Sequence, residues 1–394
     1  MAAPKLRFKE FDGDWKQETL KNLATFSKGK GISKADISED GINLCIRYGE
    51  LYTTYGQVID HIHSRTNVSK SECILSKAGD VIIPASGETQ IDIATASCVL
   101  HDDIILSGDL NILSHEENGS WLAYYLSSAK KLEIAQLAQG NSVVHLYSSQ
   151  LKDLKINKPS KEEQTKIASF LSAVDEKISQ LTEKHALLSQ YKQGMMQKLF
   201  SQQLRFKADD GSEFGEWEIN IIRDVFTNKS KNFNPQNEGN LPCIELEHLS
   251  QNTGKILGTI ESCEQQSTKN LFEKNSVLFG KLRPYLRKFA KPKFKGVCSS
   301  EIWVLTGIKV SNDYLFQYIQ SEQFSELTNI QSGSKMPRAD WGVISEAEIE
   351  YPCPEEQTKI ANFLSSIDQK IEVVAQQIEQ AKTWKKGLLQ QMFV

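Results

Sequence analysis

The chain has 394 residues, 39% of them hydrophobic, which is material for more than one core, since domains run about 100–200 residues. Against 50 Asp and Glu stand 46 Lys and Arg, a formal net charge of -4, which excludes a uniformly basic nucleic-acid binder and leaves any such site to a local patch. No window approaches the roughly 20 apolar residues of a membrane span, Met1-Ala-Ala-Pro-Lys5 lacks an apolar signal core, and the seven scattered cysteines offer neither a C-x-x-C pair nor zinc-ligand spacing, so a reduced, soluble, cytoplasmic chain without metal is expected.

In chain order, the first landmark is Leu6-Arg-Phe-Lys9, followed by the acidic turn Asp12-Gly-Asp-Trp15; both return later as Leu204-Arg-Phe-Lys207 and Phe214-Gly-Glu-Trp217. A globular stretch follows, roughly 10–157. In it Lys28-Gly-Lys-Gly31 and Arg47-Tyr48 are weaker candidates for a binding surface; Lys28 and Lys30 suit phosphate contacts, but a plain surface turn is the favoured reading. His61 and His63, without a third ligand, read as structural or solvent-facing rather than metal-binding. The strand-like Gly79-Asp-Val-Ile-Ile83 and the helical Trp121-Leu-Ala-Tyr-Tyr-Leu126 come next, then the loop Gln139-Gly-Asn-Ser-Val-Val-His145. There small residues allow close backbone approach and Asn141 and His145 are candidate donors to bases or phosphates, ordinary turn chemistry being the alternative.

A helix of about 40 residues, about 60 Å at 1.5 Å per residue, then begins at Ser160-Lys-Glu-Glu163, which fits a capping box after Pro159. Its apolar stripe, Leu171, Val174, Ile178, Leu181, His185, Leu188, Lys192, Met195 and Leu199, steps by threes and fours as a coiled-coil seam does. His185 and Lys192 interrupt it; they either specify register or face solvent where a pair splays, and solvent is the favoured expectation.

A second globular stretch, roughly 208–350, repeats the order of the first: Asn275-Ser-Val-Leu-Phe279 corresponds to Gly79–Ile83 and Tyr314-Leu-Phe-Gln-Tyr-Ile319 to Trp121–Leu126. Short strands mixed with a few helices predict α+β domains. Between Lys274 and Lys295 lie Lys281, Arg283, Arg287, Lys288, Lys291 and Lys293, with Glu273 the single neighbouring acid and Phe279, Tyr285, Phe289 and Phe294 interleaved. Such a strip neutralises phosphates, and Arg283 or Arg287 offers the fork that reads guanine; a solvated hairpin face is the alternative. The loop Gln331-Ser-Gly-Ser-Lys-Met-Pro-Arg338 matches the earlier Gly-Asn-Ser loop in position and contributes Lys335 and Arg338.

A second helix closes the repeat. Glu162-Glu-Gln-Thr-Lys-Ile-Ala168 recurs as Glu355-Glu-Gln-Thr-Lys-Ile-Ala361, a shift of 193, and 13 of 17 positions from 162 to 178 are identical under it. The same register aligns Lys192, Gly194, Gln197 and Phe200 with Lys385, Gly387, Gln390 and Phe393, and the second seam runs Leu364, Ile367, Ile371, Val374, Ile378, Ala381, Lys385, Leu388 and Met392. Gly194 and Gly387 each cost a helix about 1 kcal/mol relative to alanine, and their equivalent placement points to close helix packing or a partner surface. Two units tiling the chain with almost no remainder predict a pseudo-two-fold object.

A globular segment, a helix opening with P-x-x-E-E-Q-x-x-I-A-x-F-L, and both again: this layout resembles the specificity subunit of type I restriction-modification systems over the whole chain. The resemblance implies an α+β protein, two mixed α/β target-recognition domains (1–157 and 205–350) joined by two long helices (158–204 and 351–394) packed as an antiparallel coiled coil. Leu171, Val174, Ile178, Leu181, Leu364, Ile367, Ile371 and Val374 would pair the helices, which with Gly194 and Gly387 would dock partners. It implies a non-catalytic, sequence-specific reader of a bipartite, asymmetric target in double-stranded DNA, acting in bacterial or archaeal defence. Its partners would be two methyltransferase (M) subunits that bind S-adenosylmethionine and methylate adenine N6, and restriction (R) subunits that use ATP and Mg; no cofactor is expected in this chain.

Missing motifs point the same way. No two prolines are adjacent, so the N/D-P-P-Y/F of an adenine methyltransferase is absent; Lys28-Gly-Lys-Gly31 is too short for a cofactor loop; and neither G-x-x-x-x-G-K-S/T nor Glu-x-Lys occurs. A coiled-coil scaffold with protein-binding ends and a cryptic hydrolase are the competing readings, separable by salt-dependent, sequence-selective DNA binding and by activity of the subunit alone.

Overall fold

The computed structural model describes residues 4–140, 143–329 and 336–393; Asn141 and Lys335 lie outside them. Its two compact units do not follow the chain in order. Residues up to Thr182 close with those from Gln376 onward, and Glu183–Ala375 close on themselves, so each unit holds one globular segment and a stretch of both long helices.

The first unit is built on a five-stranded sheet in the order Ala24–Lys28, Leu110–His115, Val81–Pro84, Ser97–Val99, Val58–Ile59, beside a four-stranded sheet of Ser64–Thr66, Asn43–Ile46, Ile105–Leu106 and Ile74–Leu75. The apolar run at 81–83 is continuous because both faces are covered. Val81 and Ile83 enter the core with Trp121 and Leu171, while Ile82 points the other way to Ile46, Val99 and Ile112. The Asn118 side chain caps the helix Gly119–Ser128, accepting from Trp121 N–H at 3.0 Å, and Trp121 stacks on Tyr125 with centroids 5.3 Å apart.

The second unit repeats the plan with different residues. A four-stranded sheet runs Phe226–Thr227, Ile302–Gly307, Val277–Gly280, Phe289–Ala290, and a five-stranded sheet runs Asn232–Phe233, Lys269–Phe272, Gly296–Cys298, Pro242–Ile244, Ile260–Glu261. Val277 pairs with Leu305 as Val81 pairs with Leu113. Val277 and Phe279 enter the core with Leu364, and Leu278 faces Ile244 and Val304. The helix Asn312–Tyr318 is capped by Ser311, which accepts from Tyr314 N–H at 3.2 Å.

The long helices span Lys161–Phe200 and Pro354–Met392. The first ends where Gln202 takes a left-handed φ of 57° and Leu204 N–H donates back to the Lys198 carbonyl at 3.0 Å, turning the chain into the second Leu-Arg-Phe-Lys. Within each unit the helix stretches are antiparallel. In the first, Leu171 and Val174 share a core with Leu388 and Met392, and Asp175 meets Lys385 at 2.6 Å; in the second, Met196 and Leu199 share one with Leu364 and Ile367, and Lys192 meets Asp368 at 2.6 Å. These two ion pairs are one contact repeated, because Asp175 and Lys192 become Asp368 and Lys385 under the shift of 193.

Three helix expectations are revised. Lys192 does not face solvent: its side chain is 12% exposed, paired with Asp368 and bonded to Gln320 Oε1 at 2.7 Å, so it specifies register. Gly194 and Gly387 serve no close packing among the described residues, since a Cβ at either meets no atom within 4 Å. The capping box forms one arm only. Glu163 N–H donates to Ser160 Oγ at 3.3 Å, but the Glu163 carboxylate is engaged by Arg7.

That engagement joins the two repeated motifs. Arg7 Nε and Nη2 both donate to Glu163 at 2.7 Å, and Trp15 Nε1 reaches the same carboxylate at 3.4 Å; Arg205 donates to Glu356 at 3.2 and 2.7 Å, with Trp217 Nε1 at 3.2 Å. Hydrogen bonding to the carboxylates raises both guanidinium pKa values. The next residue completes the head of the helix: the Gln164 side-chain Oε1 accepts from Asn118 N–H at 3.0 Å and Gln357 Oε1 from Ser311 N–H at 2.9 Å. Glu-Glu-Gln is therefore the joint between long helix and globular segment.

Candidate nucleic-acid interface

In the second unit the basic strip is a hairpin. Val277–Gly280 leads into a turn and Phe289–Ala290 returns antiparallel, with Phe279 opposite Phe289. Phe279 and Phe289 are 3% and 2% exposed, so strand alternation explains the interleaved aromatics; Tyr285, 54% exposed, is the ring left for stacking. The turn holds two non-glycine residues in the left-handed region, Arg283 (φ 51°) and Arg287 (φ 47°), flanking Pro284–Leu286. Each costs about 1–3 kcal/mol and persists because its surroundings fix it. Leu286 N–H bonds the Arg283 carbonyl at 2.9 Å, Arg287 N–H the Pro284 carbonyl at 2.8 Å, and Asn252 N–H the Arg287 carbonyl at 3.0 Å.

The cations divide into two groups. Lys288 Nζ bonds the Leu246 carbonyl at 2.6 Å, Lys291 pairs with Asp313, Lys295 pairs with Glu273 at 2.8 Å, and Arg287 turns inward to the Gln320 carbonyl. Lys281, Arg283 and Lys293 carry no ion pair among the described residues, and Arg283 and Lys293 are exposed.

The loop before the second long helix joins this turn. Arg283 N–H donates to the Pro337 carbonyl at 2.7 Å, Ala339 N–H to the Lys281 carbonyl at 2.9 Å, and Leu282 bridges Arg338. Arg338, half-exposed, holds Glu301 with bonds of 3.0 and 3.2 Å, which raise its pKa. Two segments far apart in sequence thus form one surface of Lys281, Arg283, Tyr285 and Arg338.

The first unit builds the matching place with other residues. Ser86–Gly87, following Val81–Pro84, pairs with Val144–His145, and Gln139 and His145 exchange backbone bonds of 2.9 and 2.7 Å around Gly140. Gly140 has φ 128°, and a Cβ there would lie 2.1 Å from the Val143 carbonyl oxygen. The exposed His145 ring stacks on Tyr147 at 6.3 Å. Lys28 and Lys30 are exposed at the end of Ala24–Lys28. Gly29 between them is required by space, a Cβ falling 1.8 Å from the Ser107 carbonyl oxygen. Tyr48 N–H donates to Ser107 Oγ at 3.2 Å, which brings the two weaker candidate segments together, but Arg47 is committed to Glu50 at 3.2 Å. His61 and His63 meet edge-on at 5.1 Å beside Tyr55.

Two lysines escaped the sequence reading. Thr227 opposes Thr306 as Thr25 opposes Ser114, so exposed Lys229 and Lys231 follow the strand equivalent to Ala24–Lys28. Setting Phe226-Thr-Asn-Lys-Ser-Lys231 beside Ala24–Lys30 reveals them.

Two mixed α/β segments are jointed alike to stretches of the long helices, and each carries its own set of exposed cations and rings. A model of the type I restriction modification DNA specificity domain matches residues 12–189 and again 215–383, and the chain belongs to that family. It is similar to the MjaVIII specificity subunit of a type I restriction enzyme from Methanocaldococcus jannaschii, 25% identical over 288 residues (68% of this chain, 67% of that one), and to the EcoDI specificity subunit from Escherichia coli, 24% identical over 303 residues (68% and 67%). The crystal structure of a type I restriction-modification S subunit from M. genitalium shares the fold, with a TM-score of 0.65 at 16% identity over 100% of this chain and 99% of that one. A second solved chain, from work on complex assembly and conformational transition of a type I system, gives 0.56 at 15% identity over 98% of each. The chain is thus a non-catalytic DNA-recognition subunit of a type I restriction-modification system. No described helix is long and apolar enough to cross a membrane.

Proposed function

We propose that the protein reads a bipartite, asymmetric target in double-stranded DNA, one half-site per globular segment, and that the paired helices set the gap between half-sites. The observation that supports this reading is the contrast between like joints and unlike surfaces: one unit exposes Arg283, Tyr285 and Arg338 where the other exposes His145 beside the buried Ser86–Gly87. Arg283 suits guanine in the major groove, Lys28, Lys30, Lys229, Lys231 and Lys281 suit phosphates, and Tyr285 and His145 supply flat faces. Arg47, Lys288 and Arg287 act by shaping these surfaces. Two readers on one face of a duplex require separations near about 34 Å or its multiples, for which a helix pair is a suitable ruler.

The chain supplies no chemistry. In this reading its helices dock two M subunits, which bind S-adenosylmethionine and methylate adenine N6, and through them R subunits that hydrolyse ATP with Mg and cut DNA, all in the cytoplasm. Gly194 and Gly387, open to solvent, belong to the docking faces. Mapping methylated adenines in cells that express the complex tests this, with one two-part motif of constant gap expected. Methylation without sequence preference, or binding insensitive to salt, would favour the scaffold reading.

A further inference from the structure

Arg287 belongs to the basic strip yet does not serve its surface. Its guanidinium donates to the Gln320 carbonyl, and burial pulls its pKa below the ordinary arginine value against the opposing pull of Glu322. The Gln320 side chain accepts from Lys192 Nζ at 2.7 Å and donates to the Phe316 carbonyl at 2.7 Å. Lys192 pairs with Asp368 at 2.6 Å, and Asp368 accepts from Gln317 at 3.2 Å. A chain of polar contacts therefore runs from the candidate reading turn, past the end of Asn312–Tyr318, to both long helices within one unit.

Packing alone does not account for this arrangement. Burial lowers the Lys192 pKa, Asp368 opposes the shift, and the neighbouring charge of Arg287 adds to it, so the two cations stand close enough to feel each other while only Lys192 pairs with Asp368. Apolar side chains of similar volume would hold two helices at least as firmly. The first unit has the same ion pair, Lys385 with Asp175, but Lys385 continues to Gln57 at 3.0 Å, before the strand Val58–Ile59, and not to the loop at Ser86–Gly87. Among the described residues, the helix contact continues to the turn in the second unit and not in the first.

We propose that Arg287 is a positioning residue for recognition: through Gln320 and Lys192 it ties the Arg283–Tyr285 turn to the paired helices, so that helix register, and no DNA contact of its own, sets how the turn meets its half-site. This rests on the reading that the turn faces DNA.

The test uses the full subunit assembled with its methyltransferase partners, on duplexes carrying the mapped motif or single-base changes in either half. Arg283→Ala identifies the half-site read by the turn, as the one whose discrimination it relaxes. Arg287→Ala and Lys192→Met are each expected to lower discrimination at that half-site at least tenfold with the salt slope of binding unchanged, and the double variant to be no worse than Arg287→Ala. Lys385→Met, which cuts the equivalent ion pair in the other unit, is expected to leave that half-site's discrimination intact. Should Lys192→Met fail to assemble, Gln320→Leu removes the same link and keeps both charges. A salt slope reduced by about one in Arg287→Ala marks a phosphate contact and overturns the proposal. So does full discrimination in Lys192→Met, or in Gln320→Leu. No effect of Arg283→Ala at either half-site refutes the DNA-facing turn itself, a separate result.

Discussion

Arg7 and Glu163, 156 residues apart in sequence, are joined by two bonds of 2.7 Å at the point where the first globular segment meets its helix. The carboxylate is 2% exposed, so removing its partner strands a buried charge. Arg7→Ala is expected to destabilise the first unit by about 3 kcal/mol, measured by chemical denaturation, and Arg205→Ala to do the same in the second. A loss below about 0.5 kcal/mol, the surface-pair range, would show that the joint is ornamental.

Gly29 sits against the Ser107 carbonyl with no room for a methyl group. Gly29→Ala should cost about 1–3 kcal/mol as an overpacking change and weaken recognition of the first unit's half-site, with the other half-site unaffected. Binding to duplexes altered in one half at a time separates these effects.

His115 contributes a pH dependence to the first unit's stability. Burial holds its pKa below the ordinary 6.5, against Asp80, Glu117 and Glu116, and its Nδ1 accepts from Glu117 N–H at 3.2 Å, which requires the neutral ring. The unfolded chain therefore takes up the proton first as pH falls below 6.5, and stability is lost from there down to the folded pKa. Melting temperatures of wild type and His115→Gln between pH 7.5 and 5 should converge as acid is added. A constant gap would remove His115 from the account.

Phosphate and base contacts differ in their salt signature. Lys28→Ala and Lys30→Ala are expected to weaken binding evenly across sequences and to lower the salt slope by about one each, whereas Arg283→Ala should relax one base position at a cost of about 1–3 kcal/mol. Titrations at several salt concentrations on target and scrambled duplexes decide the matter.

The unit boundaries fall after Thr182 and after Ala375, positions related by the same shift of 193. Four residues inserted at both, about one helical turn each, should leave each unit's joints intact and change the gap in the methylated motif with both half-sites retained. An unchanged gap would defeat the idea of a ruler.

The parts legible in the sequence were those that repeat or oscillate. Identity at 13 of 17 positions exposed the doubled helix, and the seam from Leu171 to Leu199 and its counterpart from Leu364 gave the antiparallel pair its apolar face. The parts that stayed hidden join residues with no local mark. Glu163 at a helix start reads equally well as a dipole partner, so its bond to Arg7 had no signal. Lys192 in an apolar seam looked like a breach until Asp368 was beside it. The strip at 274–295 was found by composition, but which cations are spent inside the fold depends on Asp313, Glu273, Leu246 and Gln320, all outside it. Arg283 and Arg287 take a glycine-like conformation that their own identity conceals.

The joint of arginine, tryptophan, glutamate and glutamine lies wholly outside the exposed loops. A segment bounded by Leu-Arg-Phe-Lys in front and Glu-Glu-Gln behind is an interchangeable cartridge, since it brings the arginine and tryptophan that any such helix head will accept. A whole segment exchanged for another with the same two ends would therefore seat on this helix head without refitting.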